Sequence, residues 1–264
     1  MPVIPGAEAF AHFEGGTGVL LCHGFGGDPR TLRPWAQYLA DAGLSVLLPR
    51  LPGHGTTWQE LARTRWEDWY AEADRAFDEM QARCEEIFVM GLSMGGCLAL
   101  RLAELRGDAI RGVVLVNPSI TADTPLVHVL PVLRLVVSSL KSGPADIKNP
   151  QDSYRGGYDR VAVKVLSSLP GLWRITRRHL AEVTQPVLAY KSVTDHVVGP
   201  ASLKLLRSAL RPGQLEVREL ADSYHVATLD NDAQAVFAGS LDFVRQLSSV
   251  ARTRQGQPDT AQAS

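Results

Sequence analysis

Short, mostly apolar runs recur along the 264-residue chain at 19–22, 45–48, 87–90, 112–116, 187–191 and 215–219. Runs of this length, most without regular polar alternation, predict strands of a sheet buried on both faces. Between them, segments 32–42, 66–83, 96–106, 202–210 and 232–249 carry apolar residues at helical spacing, which predicts amphipathic helices. Strand and helix alternate, so the pattern predicts an α/β fold: one mostly parallel sheet with helices on both faces. In such sheets the chemistry sits at the carboxyl ends of the strands. The loops that follow strands therefore carry the candidate site.

One stretch breaks the alternation. Residues 119–185 hold no clear core strand, only helical and loop-like segments rich in Pro, Gly and Ser, and an insertion of that length in a compact domain is usually functional. Within it, residues 125–140 place Leu126, Val129, Leu130, Leu133, Val136, Val137 and Leu140 on one broad apolar face. That face predicts a cap helix over the site; the alternative is a helix packed on the core. The expected division is an α/β core of 1–118 and 186–250, an inserted cap or lid of 119–185, and a polar, disordered tail of 251–264.

Composition narrows the function. Hydrophobic residues make up 45%, charged residues 21%, and the formal net charge is −1, which describes an ordinary globular chain with no basic surface for nucleic acid. The expected partner is a small molecule. The first six residues lack a basic region followed by an apolar run and do not read as a signal peptide, and no stretch approaches a membrane span. Cys22, Cys84 and Cys97 lack metal-type spacing, so they are expected to be reduced packing residues in a cytoplasmic protein. Neither metal nor organic cofactor is called for.

The strongest chemical signal is Gly91-Leu92-Ser93-Met94-Gly95-Gly96, which follows one predicted strand and opens a predicted helix. A Ser on so sharp a turn sits in strained backbone, and strand and helix can approach only if its flanking positions lack side chains. Gly91 and Gly95 occupy them. The turn also sets Ser93 at a helix amino terminus, where free N–H groups favour negative charge.

A Ser hydroxyl is a poor nucleophile without a base to take its proton, and the base must be oriented by an acid. In this arrangement the acid and then the base follow the Ser along the chain. Asp195 follows the run at 187–191 and His225 follows the last predicted strand. His12, His54, His128 and His179 have the wrong order or context for the base, and His196 is too close in sequence to Asp195. Asp222 and Asp230 are rivals for the acid, but each is too close to His225 to fit the triad order well.

An acyl-transfer intermediate carries an oxyanion that needs preset donors. The Met94 N–H is one, and the Phe25 N–H, in the loop Cys22-His23-Gly24-Phe25-Gly26-Gly27, is the candidate for the other. His23 and His54 are expected to be buried scaffold residues.

These motifs, with Pro49-Arg50-Leu51-Pro52-Gly53-His54-Gly55, Asp195-His196-Val197-Val198, Ser223-Tyr224-His225-Val226-Ala227-Thr228-Leu229-Asp230 and Asp146-Ile147-Lys148-Asn149-Pro150, resemble the bacterial carboxylesterases and monoacylglycerol lipases of the α/β-hydrolase superfamily. The resemblance spans nearly the whole chain. It implies Ser93, Asp195 and His225 as nucleophile, acid and base, with Phe25 and Met94 supplying the oxyanion N–H groups. It also implies a fatty acyl ester of a small alcohol as substrate, its acyl chain beneath the cap. The least matching segment is 151–157. Acyl transfer on the same triad, a hydrolase-like receptor, and transient contact of the cap with a lipid surface are the competing or additional readings.

Overall fold

The computed structural model describes residues 2–123, 137–151, 154 and 156–249. Its centre is a seven-stranded sheet in the order β1-β3-β2-β4-β5-β8-β9, built from β1 (Phe10–His12), β2 (Thr17–Cys22), β3 (Ser45–Leu48), β4 (Glu86–Leu92), β5 (Gly112–Val116), β8 (Val187–Ser192) and β9 (Leu215–Leu220). All neighbours pair in parallel except β1, which runs antiparallel to β3 at the edge. All six predicted strands are present. The pattern missed β1, whose three residues are too few to show a period.

Because a side chain points to opposite faces at successive strand positions, the strands feed two cores. Val19, Leu21, Val46, Leu48, Val114 and Val116 face α1 (Arg33–Asp41) and α8 (Ala233–Leu247), packing with Trp35, Leu39, Val236 and Phe237. Leu20, Val89, Val113 and Leu115 face the other way, against Trp69, Phe77 and Met80 of α3 (Trp66–Gln81) and Leu98 and Leu102 of α4 (Met94–Arg106). Each fully buried Leu or Val of this kind contributes about 1.5–3 kcal/mol. A short α2 (Trp58–Leu61) precedes α3, and α7 (Ala201–Ala209) lies between β8 and β9.

α4 begins two residues earlier than its apolar pattern suggested, directly after Ser93. Gly95 is a weak helix former and carries no apolar signal, so it hid the first two residues.

The segment between β5 and β8 supplies no strand to the main sheet among the described residues. It holds an antiparallel pair, β6 (Ser139–Lys141) with β7 (Arg160–Ala162), then α5 (Val163–Leu166) and α6 (Leu169–His179). α6 packs Leu172 into the same apolar cluster as Val89 and Leu115. The helix expected over 125–140 falls mostly outside the described residues. At its end the expectation is corrected: Leu140 lies in β6, where pairing with Val161 holds it extended and leaves it 40% exposed.

The strand order reverses between β2 and β4, which are neighbours in the sheet although β3 separates them in sequence. A crevice opens at such a point beyond the carboxyl ends of the strands, and the loops after β2 and β4 border it.

Candidate active site

Ser93 is the single residue between β4 and α4. Its φ of 56° lies in the left-handed region, a conformation that a side chain makes costly and that persists only where the surroundings impose it. They do so here: Ser93 N–H donates to Val116 O at 2.9 Å, and Ser93 O accepts from Ser119 N–H at 3.0 Å. A Cβ on Gly91 would collide with the Gly95 backbone, and one on Gly95 with the carbonyl of Cys22. The glycines are thus required for the helix to start where it does.

Asp195 and His225 come together from the loops after β8 and β9. His225 Nδ1 lies 3.0 Å from Asp195 Oδ1 and 3.1 Å from Oδ2. Asp195 also accepts from the Val197 and Val198 N–H groups at 3.0 and 2.8 Å and from Lys191 Nζ at 2.6 Å. Burial opposes its charge, but the His225 bond and charge, Lys191 and the Val198 N–H outweigh that and hold the carboxyl below the usual carboxylate range. The rival acids are occupied elsewhere. Asp222 pairs with Lys148 at 2.6 Å, and Asp230 accepts from the backbone N–H groups of Lys148, Asn149, Tyr224 and Asn231 at 2.7–2.9 Å. His196 Nδ1 lies 2.8 Å from Asp146 Oδ1.

Three residues that hold this pair escaped the sequence reading. Asn117, buried at the end of β5 with φ 44°, donates through Nδ2 to His225 O at 2.8 Å and to Ser192 Oγ at 2.9 Å. Ser192 Oγ in turn donates to Tyr224 O at 2.8 Å. Asp146 accepts from the N–H groups of His196 and His225, each at 3.2 Å. Asn117 and Ser192 carry no motif of their own, because a polar residue just past a predicted strand reads as a turn former; Asp146 opens one of the motifs quoted above, which gave no sign of its contact with His225.

The loop after β2 approaches Ser93 closely: a Cβ on Gly24 would lie 3.4 Å from Ser93 Cβ. Met94, first residue of α4, has an N–H with no partner inside the helix, and Phe25 N–H has no acceptor among the described residues. The Phe25 ring packs on Trp69 at 5.5 Å and His54 at 6.1 Å. His23 is fully buried; its Nε2 accepts from Leu51 N–H at 3.1 Å, so its proton sits on Nδ1, which donates to Gly24 O at 3.0 Å. Burial pushes its pKa down to about 4, and His54 is lowered by burial as well. Both rings are neutral struts joining the loops after β2 and β3. A Cβ on Gly157 would run into Gly26 O, so the inserted segment lies directly on the loop after β2.

Ser93, Met94, Phe25, Asp195 and His225 all line one cavity of about 830 Å³. Val161, Leu166, Leu169 and Trp173 of the insertion give it an apolar side, and Ser119, Thr121, Asp123 and Asp146 give it polar groups. A site that joins a serine on a strained turn with a paired His and Asp can carry out acyl transfer to water. Cys22 and Cys97 take no part: both are buried, which pushes each thiol up to about 12. No group of three His, Cys, Asp or Glu suited to a metal occurs among the described residues.

Known proteins share this architecture. The family model described as serine aminopeptidase, S33 matches residues 17–232. The chain is 39% identical to a thermostable monoacylglycerol lipase of a Bacillus species over 92% of this chain and 96% of that one, and 25% identical to a carboxylesterase of Bacillus subtilis over 89% and 95%. Among solved structures, one described with the metagenome-derived lipolytic enzymes LipS and LipT superposes with a TM-score of 0.89 at 33% identity, covering 93% of this chain and all of that one. The monoacylglycerol lipase of Paleococcus ferrophilus, at 22% identity and TM-score 0.76, covers 94% of this chain and all of its own, and shares the fold. On a match that spans most of its length, the chain belongs to the serine aminopeptidase, S33 family and has the α/β-hydrolase fold.

Proposed function

We propose that this protein is a serine hydrolase of carboxylic esters, acting on fatty acyl esters of small alcohols such as monoacylglycerols. The observation that carries the reading is the His225–Asp195 pair, 3.0 Å apart, in the same cavity as Ser93 on its strained turn. Ser93 attacks the ester carbonyl while His225 takes its proton, and the Met94 and Phe25 N–H groups receive the negative charge on oxygen. His225 returns the proton to the departing alcohol. Water, deprotonated by the same base, then releases the acid. Asp195 keeps the imidazole oriented and balances its charge.

The insertion, residues 119–185, acts as the cap over a core of 1–118 and 186–250, its apolar side taking the acyl chain. Val193 and Val197, 66% and 62% exposed, flank the acid, and Val197 lines the cavity; with the cap they give a rim suited to passing contact with a lipid surface. No described helix is long and apolar enough to cross a membrane. The three unpaired cysteines favour a reducing cytoplasm.

Initial rates on 4-nitrophenyl esters of rising chain length, a monoacylglycerol and an aminoacyl 4-nitroanilide, for the parent and Ser93→Ala, test the reading. Ester turnover that the variant loses, with an optimum at long chains, supports it. Turnover of the anilide alone, or none, would overturn it.

A further inference from the structure

Lys191 lies four residues before Asp195 near the end of β8. Its Nζ donates to Asp195 Oδ2 at 2.6 Å and to Val198 O at 2.6 Å, closing the loop that carries the acid. Both side chains are withdrawn from solvent, Lys191 to 13% and Asp195 to 2% exposure, so water and salt screen the pair far less than a surface one. The oxygen that Lys191 binds is also 3.1 Å from His225 Nδ1. One carboxylate therefore serves both the Lys191 amine and the imidazole.

Other carboxylates are held near His225. Asp146, from the insertion, accepts its N–H and binds His196; Asp230 accepts from Tyr224 N–H in its own loop; Asp222 is matched by Lys148. Of these carboxylates Asp195 is the one in contact with the ring, where a negative charge favours a proton on the imidazole, and a protonated His225 cannot accept one from Ser93.

We propose that Lys191 is a positioning residue that offsets the charge of Asp195 at His225, keeping the base free, and Ser93 activated, at lower pH than an Asp–His pair alone would allow. The ammonium also fixes the acid through Val198 O, so orientation and charge arrive together. The motif around the acid did not disclose this, because Lys191 belongs to the strand and meets Asp195 only when the loop folds back.

This inference rests on the triad reading above, and its test needs no knowledge of the natural ester. The rate at which a fluorophosphonate labels Ser93 is followed across the range in which histidine titrates, for the parent, Lys191→Met and Lys191→Arg. Removing the charge should move the acid limb to higher pH by about one unit, which is roughly a tenfold lower relative rate on that limb; Arg should keep the parent's limb. Should the Met variant fail to fold, Lys191→Gln retains a donor for Val198 O and is read in the same way. Coincident limbs for parent and neutral variant, or an Arg variant displaced as far as Met, would overturn the proposal alone. No labelling of the parent at any pH would overturn the triad reading and this inference with it.

Discussion

Asn117 Nδ2 lies 2.8 Å from the carbonyl oxygen of His225, across 108 positions of sequence. The same side chain accepts from Ser192 N–H at 2.8 Å, so one amide ties the end of β5 to β8 and to the loop of His225. Asn117→Ala leaves a buried carbonyl and a buried N–H without partners, at a cost of about 2–4 kcal/mol. With His225 less well held, kcat should fall about tenfold or more with KM nearly unchanged. Urea unfolding and steady-state kinetics check both halves, and a change confined to KM would contradict the positioning role.

Gly157 should be as sensitive as a site residue although it touches no reacting atom. Its Cβ would meet Gly26 O, whereas a Cβ on Gly143, in the same insertion, meets open space. Gly157→Ala should lower stability by about 1–3 kcal/mol and depress kcat by displacing the loop that bears Phe25. Gly143→Ala should change neither. Thermal unfolding and ester turnover of the two variants, measured side by side, make the comparison.

Asp230 joins the insertion to the loop of His225 through four backbone N–H groups. Asp230→Ala strips these donors of their acceptor, and a loss of about 2–4 kcal/mol is expected. Amide hydrogen exchange at Lys148, Asn149 and Tyr224 should speed up together. Faster exchange at Tyr224 alone would mean that the two segments are not coupled.

His23 makes stability depend on pH in a defined direction. Its folded pKa is lowered by burial from 6.5 to about 4, so between those values the unfolded chain binds a proton that the fold refuses. Stability should therefore fall as pH drops from about 6.5 toward 4, by up to about 3 kcal/mol from this group, and buried His54 acts in the same sense. Urea midpoints at neutral and mildly acid pH, for the parent and His23→Asn, give the test: the variant should show the shallower loss.

The sequence alone determined the sheet, the glycine-framed turn at Ser93 and the order of the candidate triad. Runs such as 87–90 and 112–116 announce buried strands because burial on both faces admits only apolar side chains, and Gly91 and Gly95 mark the turn because backbone contact there excludes a Cβ. Such constraints act within a few residues and leave their trace in the local string. The tertiary structure alone decided what surrounds Asp195 and His225. Asn117, Asp146 and Lys191 are ordinary polar residues in sequence; they acquire their roles by donating to or accepting from groups on other strands and loops. β1 likewise exists because β3 offers it an open edge, and Leu140 is extended because Val161 pairs with it. A hydrogen bond between distant segments selects for one matching atom at the right place, not for a pattern along the chain, and so only the folded geometry shows it.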